Sequence, residues 1–407
     1  TFYFNIFIAF LLYFLLFSLS KPISQFYNEP QLTSIIRALG LTLIINSFTI
    51  IQRTILVKET NFKLLTKISI ISSLLSGIVA IYMAYKGFGV WSLVFKTLLQ
   101  QFMVSILLWT WNKWRPSLVY SFNTFKNLFS FGSKLMVSSI INTIFQNIYY
   151  LIIGKYYSAV QLGYYSRADQ FNSLPVTNIT NVIQRVSYPI LAEMQDDIEK
   201  LKKGYKKLII STTFISFTLL LIIAAIAKPM IITLIGEKWL PAVPMLQMLC
   251  FASMLYPLHA LNLNILMVKG RSDLFLKLEI IKKAIYVPVV VVGVKFGINY
   301  LIAGLIFISF FAFFLNSYWS GKFINYPAKE QLMDILPSFV LSLFISLIVY
   351  FFDFFTSFNT LTTFIMQITL GLISIIFFAE IFKINGYLEI KTVIKDLYLK
   401  NKIKNAE

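Results

Sequence analysis

One histidine (His259) and one cysteine (Cys250) are the whole stock of imidazole and thiol in this chain of 407 residues. A zinc or iron–sulfur centre built on thiolates and imidazoles is excluded, and so is a disulfide within the chain. Acids are scarce too: 17 Asp and Glu stand against 36 Lys and Arg, for a formal net charge of +19. No GxxxxGK[ST] loop occurs, so hydrolysis of ATP by this chain is not expected. No nucleophile–base pair and no cofactor motif stand out, and the chain reads as a non-enzyme without a cofactor. No segment has the short apolar core and small-residue cleavage site of a signal peptide.

What the chain has in quantity is apolar surface. Hydrophobic residues make up 58% of it, above the roughly 45–50% of ordinary soluble proteins. They fall into twelve runs: 2–20, 32–52, 68–85, 88–111, 132–153, 164–184, 208–227, 242–266, 278–294, 298–319, 335–352 and 359–382. Helices of that length cross a hydrocarbon core of about 30 Å. Barrel strands would be about half as long and alternate in polarity. The expectation is an all-α, polytopic membrane protein with about 12 transmembrane helices.

The positive charge is distributed as membrane topology requires, which argues against nucleic acid as its partner. Alternate connections, together with the tail from Lys383, hold 26 of the 36 Lys and Arg, and the opposite connections hold eight. That asymmetry predicts both termini in the cytoplasm. The basic tail (383–407) would then lie against the anionic inner leaflet, with membrane lipids as its neighbours.

A faint repeat runs through the chain. Lys21-Pro22 recurs at Lys228-Pro229, Val57-Lys58 at Val268-Lys269, and Phe88-Gly89-Val90 at Phe296-Gly297-Ile298, at offsets close to 210. Such repeats mark transporters built from two similar halves. Residues 124–208 begin the second copy and have no counterpart in the first. The reading is therefore an N-terminally truncated protein whose first lobe (1–111) lacks two helices. An inter-lobe linker (112–127), a C-terminal lobe (128–321) and a final helix pair (332–382) follow. The segment 188–207 reads as a short amphipathic helix in the longest cytoplasmic connection.

Polar residues line up inside two runs. Lys134, Ser138, Asn142 and Gln146, with Asn147 beside them, recur every four residues. Arg167, Gln170, Ser173, Thr177, Asn181 and Gln184 recur every three or four. Each set shares one helical face, fit either to line a wet cavity or to hydrogen-bond neighbouring helices. Lys96 is the deepest charge; Lys134, Arg37, Arg53, Arg167 and Arg185 lie nearer helix ends, where they either line a cavity or snorkel to the headgroups. Asp169 and Glu279 are acidic residues within runs, and both fall near run ends. A cationic lumen suits an anionic substrate such as a diphosphate. His259 would be a packing residue or a carrier of a coupling proton, and Pro241, Pro244 and Pro257 should bend their helix.

The segment FGSKLMVSSIINTIFQNIYYLIIGKYYSAVQLGYYSRADQFNSLPVTNITNVIQRVSYPILAEMQDD (131–197) resembles polysaccharide flippases of Wzx type. These are members of the multidrug/oligosaccharidyl-lipid/polysaccharide exporter superfamily. The carrying features are Phe131-Gly132, the turn at 152–168, Pro175, and Tyr188-Pro189 before a Gln-Asp stretch. The resemblance implies fourteen helices in the whole protein, as two six-helix lobes and a final pair. It also implies flipping of an undecaprenyl-diphosphate-linked oligosaccharide from the inner to the outer leaflet of the bacterial cytoplasmic membrane, for O-antigen, capsule or exopolysaccharide. Alternating access of two lobes around a cationic cavity would move it. The lining residues implied are Lys134, Asn142, Gln146, Asn147, Arg167, Gln170, Asn181 and Arg185, with Lys96, Arg37 and Arg53. A coupling cation or proton and other polysaccharide-assembly proteins would be its partners. The competing readings are a multidrug or cation antiporter, a lipid II flippase, and an integral-membrane polysaccharide polymerase.

Overall fold

A computed structural model describes residues 2–117, 122–355 and 358–404. Every regular element among them is helical. The chain divides into two compact units, Thr1–Ile148 and Tyr149–Glu407.

The first unit contains α1 (Phe2–Tyr27), α2 (Leu32–Ser47), α3 (Ile50–Lys58), α4 (Phe62–Tyr85), α5 (Val90–Trp111) and most of α6 (Phe122–Tyr156). Its helices start and stop where the sequence supplies local partners. The Asn61 side chain accepts from the Leu64 backbone N–H and so caps α4. Gly89, with φ of 53°, makes the turn into α5 that a side chain would strain. Leu56, Ile68 and Leu108 form a small apolar core between α3, α4 and α5.

The second unit holds α7 (Ala159–Glu193), α8 (Ile198–Ala225), α9 (Ala227–Ile235), a 3-10 turn (Glu237–Trp239), α10 (Ala242–Ser253) and α11 (Tyr256–Val268). It continues with α12 (Ser272–Phe296), α13 (Ile298–Ile324), α14 (Ala328–Phe355), α15 (Thr360–Ile381) and α16 (Asn385–Lys404). α8 is its central helix, with fourteen buried residues from Leu201 to Ala225. The final pair packs into this unit: Thr218 of α8 bonds Ser342 of α14 at 3.0 Å, and Phe217 meets Phe339 edge-on.

Contacts sort the connections of this unit into two ends. At one end Lys269 donates to the Gln195 carbonyl (2.5 Å), Lys202 to Glu330 (3.0 Å), and Lys206 pairs with Asp334 (2.8 Å). Burial, and then the hydrogen bond to Asp334, push the Tyr326 phenol beside them far above its ordinary pKa. At the other end Tyr157 donates to the Gly293 carbonyl (2.5 Å), and Lys228 pairs with Asp353 (3.1 Å).

Each unit contains an interrupted span. The span α2–α3 is interrupted at Phe48–Thr49 with a 47° bend, and α10–α11 is interrupted at Met254–Leu255. Pro257 opens α11, as its missing donor requires. α4 and α5 correspond in length and order to α12 and α13, and Gly89 corresponds to Gly297, with φ of 117°.

Helices occupy all twelve expected runs. Eight helices among the described residues are long and apolar enough to cross a membrane, or nine with the bent pair α2–α3. α7 and α12 are long enough but too polar to pass on composition. One expectation fails outright: 188–207 is no separate amphipathic helix. α7 runs on to Glu193, and α8 starts at Ile198 because Asp197 caps it, accepting from the backbone N–H groups of Glu199 and Lys200. Its acids and bases belong to the ends of two long helices.

Candidate functional site

α7 presents two faces of different character. Tyr165, Ala168, Asn172, Val176, Ser187 and Leu191 are buried at helical spacing. Two hydrogen bonds fix this side to the neighbouring broken span: Asn172 to Ser253 of α10 at 2.8 Å, and Asn264 of α11 to Ser187 at 2.9 Å. This polar stripe ties helices together.

The other face carries Arg167, Gln170, Thr177, Asn181 and Arg185, all exposed. Spacings of three, four and seven residues keep them in one row along about five turns. Arg167 is held in place rather than trailing. Its Nη1 donates to Gln170 Oε1 at 2.8 Å, and its guanidinium lies 5.3 Å from the Trp239 ring centre. Tyr164 meets the same indole edge-on at 5.9 Å. Trp239 escapes sequence reading, because nothing in its spacing links it to residue 167.

The remaining expected residues are scattered through the first unit. Gln146 and Asn147 are exposed on α6, and Asn147 donates back to the Thr143 carbonyl at 2.8 Å. The side chains of Lys134 and Asn142 lie outside the described residues. Lys96 is half-buried on α5, and Arg53 is exposed on α3. Arg37 is half-buried, donating to Ser20 at 2.9 Å and sitting 4.1 Å from the Phe17 ring centre. It lines an open recess of about 470 Å³ with Tyr13, Thr33 and Ser34. Within the second unit, Arg167 and Gln170 are the two expected residues recorded in direct contact with each other.

Asp169 is placed differently from expectation. Asp169 lies about three turns into α7 rather than near a helix end, because α7 begins at Ala159. It accepts a hydrogen bond from Tyr150 Oη at 2.6 Å. Tyr150 stands edge-on to Tyr165 (5.4 Å), Tyr165 stacks on Tyr149 (6.5 Å), and Tyr149 meets Tyr286 (6.2 Å). Glu279 is paired with Lys282 one turn along α12. His259 packs edge-on to Tyr256 at 5.9 Å, with Nε2 3.3 Å from Ser309 Oγ. No group of three His, Cys, Asp or Glu side chains fit to hold a metal occurs among the described residues.

Fold and composition define a polytopic α-helical membrane protein, and its architecture is a known one. The structure superposes on a lipid II flippase MurJ in its inward closed conformation with a TM-score of 0.69, over 92% of this chain and 81% of that one. At 12% identity the likeness is one of fold. Residues 1–244 match the family described as "Polysaccharide biosynthesis protein", and the chain belongs to that family. It is 32% identical over 273 residues to the teichuronic acid biosynthesis protein TuaB of Bacillus subtilis (strain 168), across 66% of this chain and 56% of that protein. It is 28% identical over 283 residues to the lipopolysaccharide biosynthesis protein WzxC of Escherichia coli (strain K12), across 68% and 57%. The chain thus spans little more than half the length of these relatives. The resemblance to Wzx-type proteins, drawn from residues 131–197, is borne out.

Proposed function

We propose that the protein flips a lipid-linked oligosaccharide, carried on undecaprenyl diphosphate, from the inner to the outer leaflet of the bacterial cytoplasmic membrane. The observation that carries this reading is the exposed row Arg167–Gln170–Asn181–Arg185 on α7, in a chain of the polysaccharide biosynthesis family. Guanidinium groups bind phosphate oxygens through paired donors, and amides suit sugar hydroxyls. The names of TuaB and WzxC, which speak of teichuronic acid and lipopolysaccharide, support a glycan rather than a drug as cargo.

In this reading Arg167 and Arg185 hold the diphosphate while the prenyl tail stays in lipid. Two lobes alternate access to a cationic cavity, no bond is made or broken, and both termini face the cytoplasm. The interrupted spans of both copies support a rocking mechanism, since breaks absorb bending that a straight helix resists.

The test is a proteoliposome assay with a labelled undecaprenyl-diphosphate oligosaccharide, following exposure of the glycan to an enzyme added outside. Exposure faster than in empty liposomes is the expected result. Rates equal to empty liposomes with several glycans, in well-folded protein, would move a drug or cation antiporter to the front.

A further inference from the structure

Two acids of the second unit, Asp169 on α7 and Glu279 on α12, are treated differently. Glu279 is matched by Lys282. The recorded partner of Asp169 is a phenol, not a cation: Tyr150 Oη at 2.6 Å from Oδ2. Around the pair stand Tyr165 and Tyr149, 4% and 5% exposed. A carboxylate held among aromatic rings is costly when charged, and in membrane proteins such groups serve ion and proton pathways.

We propose that the Asp169–Tyr150 pair is a proton-binding site that couples transport to a proton gradient, an inference that rests on the flippase reading above. The incoming proton bonds to Asp169 Oδ1 and converts the carboxylate to a neutral acid. Tyr150 keeps its own O–H and its bond to Oδ2. Release to the opposite side restores the carboxylate, and no electrons move. A metal cation would need several oxygen ligands around it, whereas the oxygen recorded on Asp169 itself is the single phenol of Tyr150.

The pair bridges α6 and α7, so its charge state acts on the contact between them. The charged form makes the stronger, charge-assisted bond, and the neutral form loosens it. That is the differential interaction a coupling site requires.

The surroundings leave Asp169 as the group with freedom to titrate. On α6 the facing groups are Tyr149 and Tyr150, with Lys155 beyond them; on α7 itself they are Tyr165 and, turned towards Trp239, Arg167. α10 contributes buried Cys250, and α11 contributes Tyr256 and His259. α12 contributes Tyr286 and the Glu279–Lys282 pair, with Lys283 beside it. α8 has no ionisable side chain between Lys207 and Ala225.

The experiment uses the full chain in proteoliposomes with a trapped pH dye and a labelled lipid-linked oligosaccharide. An imposed pH gradient should change the wild-type rate about five-fold or more. Asp169→Asn should keep a gradient-independent rate and lose that response, and Tyr150→Phe should move its pH midpoint. Infrared difference spectra across a pH titration give a transport-free readout: a titrating carboxylic acid band present in wild type and absent in Asp169→Asn. A wild-type gradient response in Asp169→Asn, or a response to sodium in place of pH, overturns the proton site and leaves the flippase reading intact. Absence of flipping in wild type under any gradient defeats the flippase reading instead. The infrared band then decides alone, and its absence from wild type overturns the site.

Discussion

The indole of Trp109 donates to the carbonyl of Phe48 at 3.1 Å, at the point where α2 breaks from α3. The second copy solves the same problem with a different residue. Ser216 donates to the carbonyl of Met254 at 3.0 Å, where α10 breaks from α11. An interrupted span frees carbonyls that lipid cannot satisfy, so each break needs a donor from a neighbouring helix. Trp109→Phe keeps an aromatic ring, though a smaller one, and removes the donor. It should lower stability by about 1–3 kcal/mol, the usual cost of an orphaned buried group. Thermal unfolding in detergent checks this, with Trp91→Phe as a control expected to be near neutral.

Asn262 is the hub of a buried network in the second unit. It accepts from Tyr205 Oη at 2.7 Å and from Ser320, and donates to Ser317 Oγ at 3.3 Å. Asn262→Leu leaves the Tyr205 hydroxyl, fully buried, without its acceptor. A loss of about 1–3 kcal/mol is expected, and Tyr205→Phe in the same background should recover part of it. An unchanged melting temperature in Asn262→Leu would show the network to be dispensable.

Much of the helical frame can be read from the sequence, because apolar runs, Pro257 and the glycines at 89 and 297 act locally. The candidate site is less legible. The polar row on α7 shows in its spacing, but Trp239 beneath Arg167 and Tyr150 against Asp169 do not. Both pairs join different elements, and no periodicity within one helix records a partner on another. The segment 188–207 misleads for a related reason: Asp197 is a single capping residue, and its effect outweighs the amphipathic pattern around it.

Trp239 should matter to transport through Arg167. A cation–π contact at an exposed site contributes about 0.5–1 kcal/mol, so Trp239→Ala should lower transport by a few-fold with membrane insertion intact. Arg167→Gln should lower it further. Wild-type transport in both variants would show that Arg167 only anchors the helix end.

The connection after α11 carries a pH signature outside the spans. Arg271 donates through Nε and Nη2 to Asp273 at 2.9 and 2.7 Å, and holds that carboxyl at about 2. The folded value lies below the unfolded value of about 3.9. The stabilisation is therefore present above about pH 4 and is lost as pH falls towards about 2. The melting difference between wild type and Asp273→Asn should be constant near neutrality and shrink below about pH 4. Both side chains are exposed, so a small effect is expected.

The two staples on α7 also constrain how the protein is made. A helix bearing Arg167, Asp169, Gln170 and Asn172 within two turns is a poor candidate to settle in lipid by itself. Its covering partners, Ser253 and Asn264, leave the ribosome 81 and 77 residues after the groups they bind. During synthesis α7 must therefore wait, shielded by the insertion machinery or held at its edge, until the broken span α10–α11 arrives. The second unit is thus committed to the bilayer as a group of helices, and its biogenesis depends on the timing of translation as well as on the hydropathy of each segment.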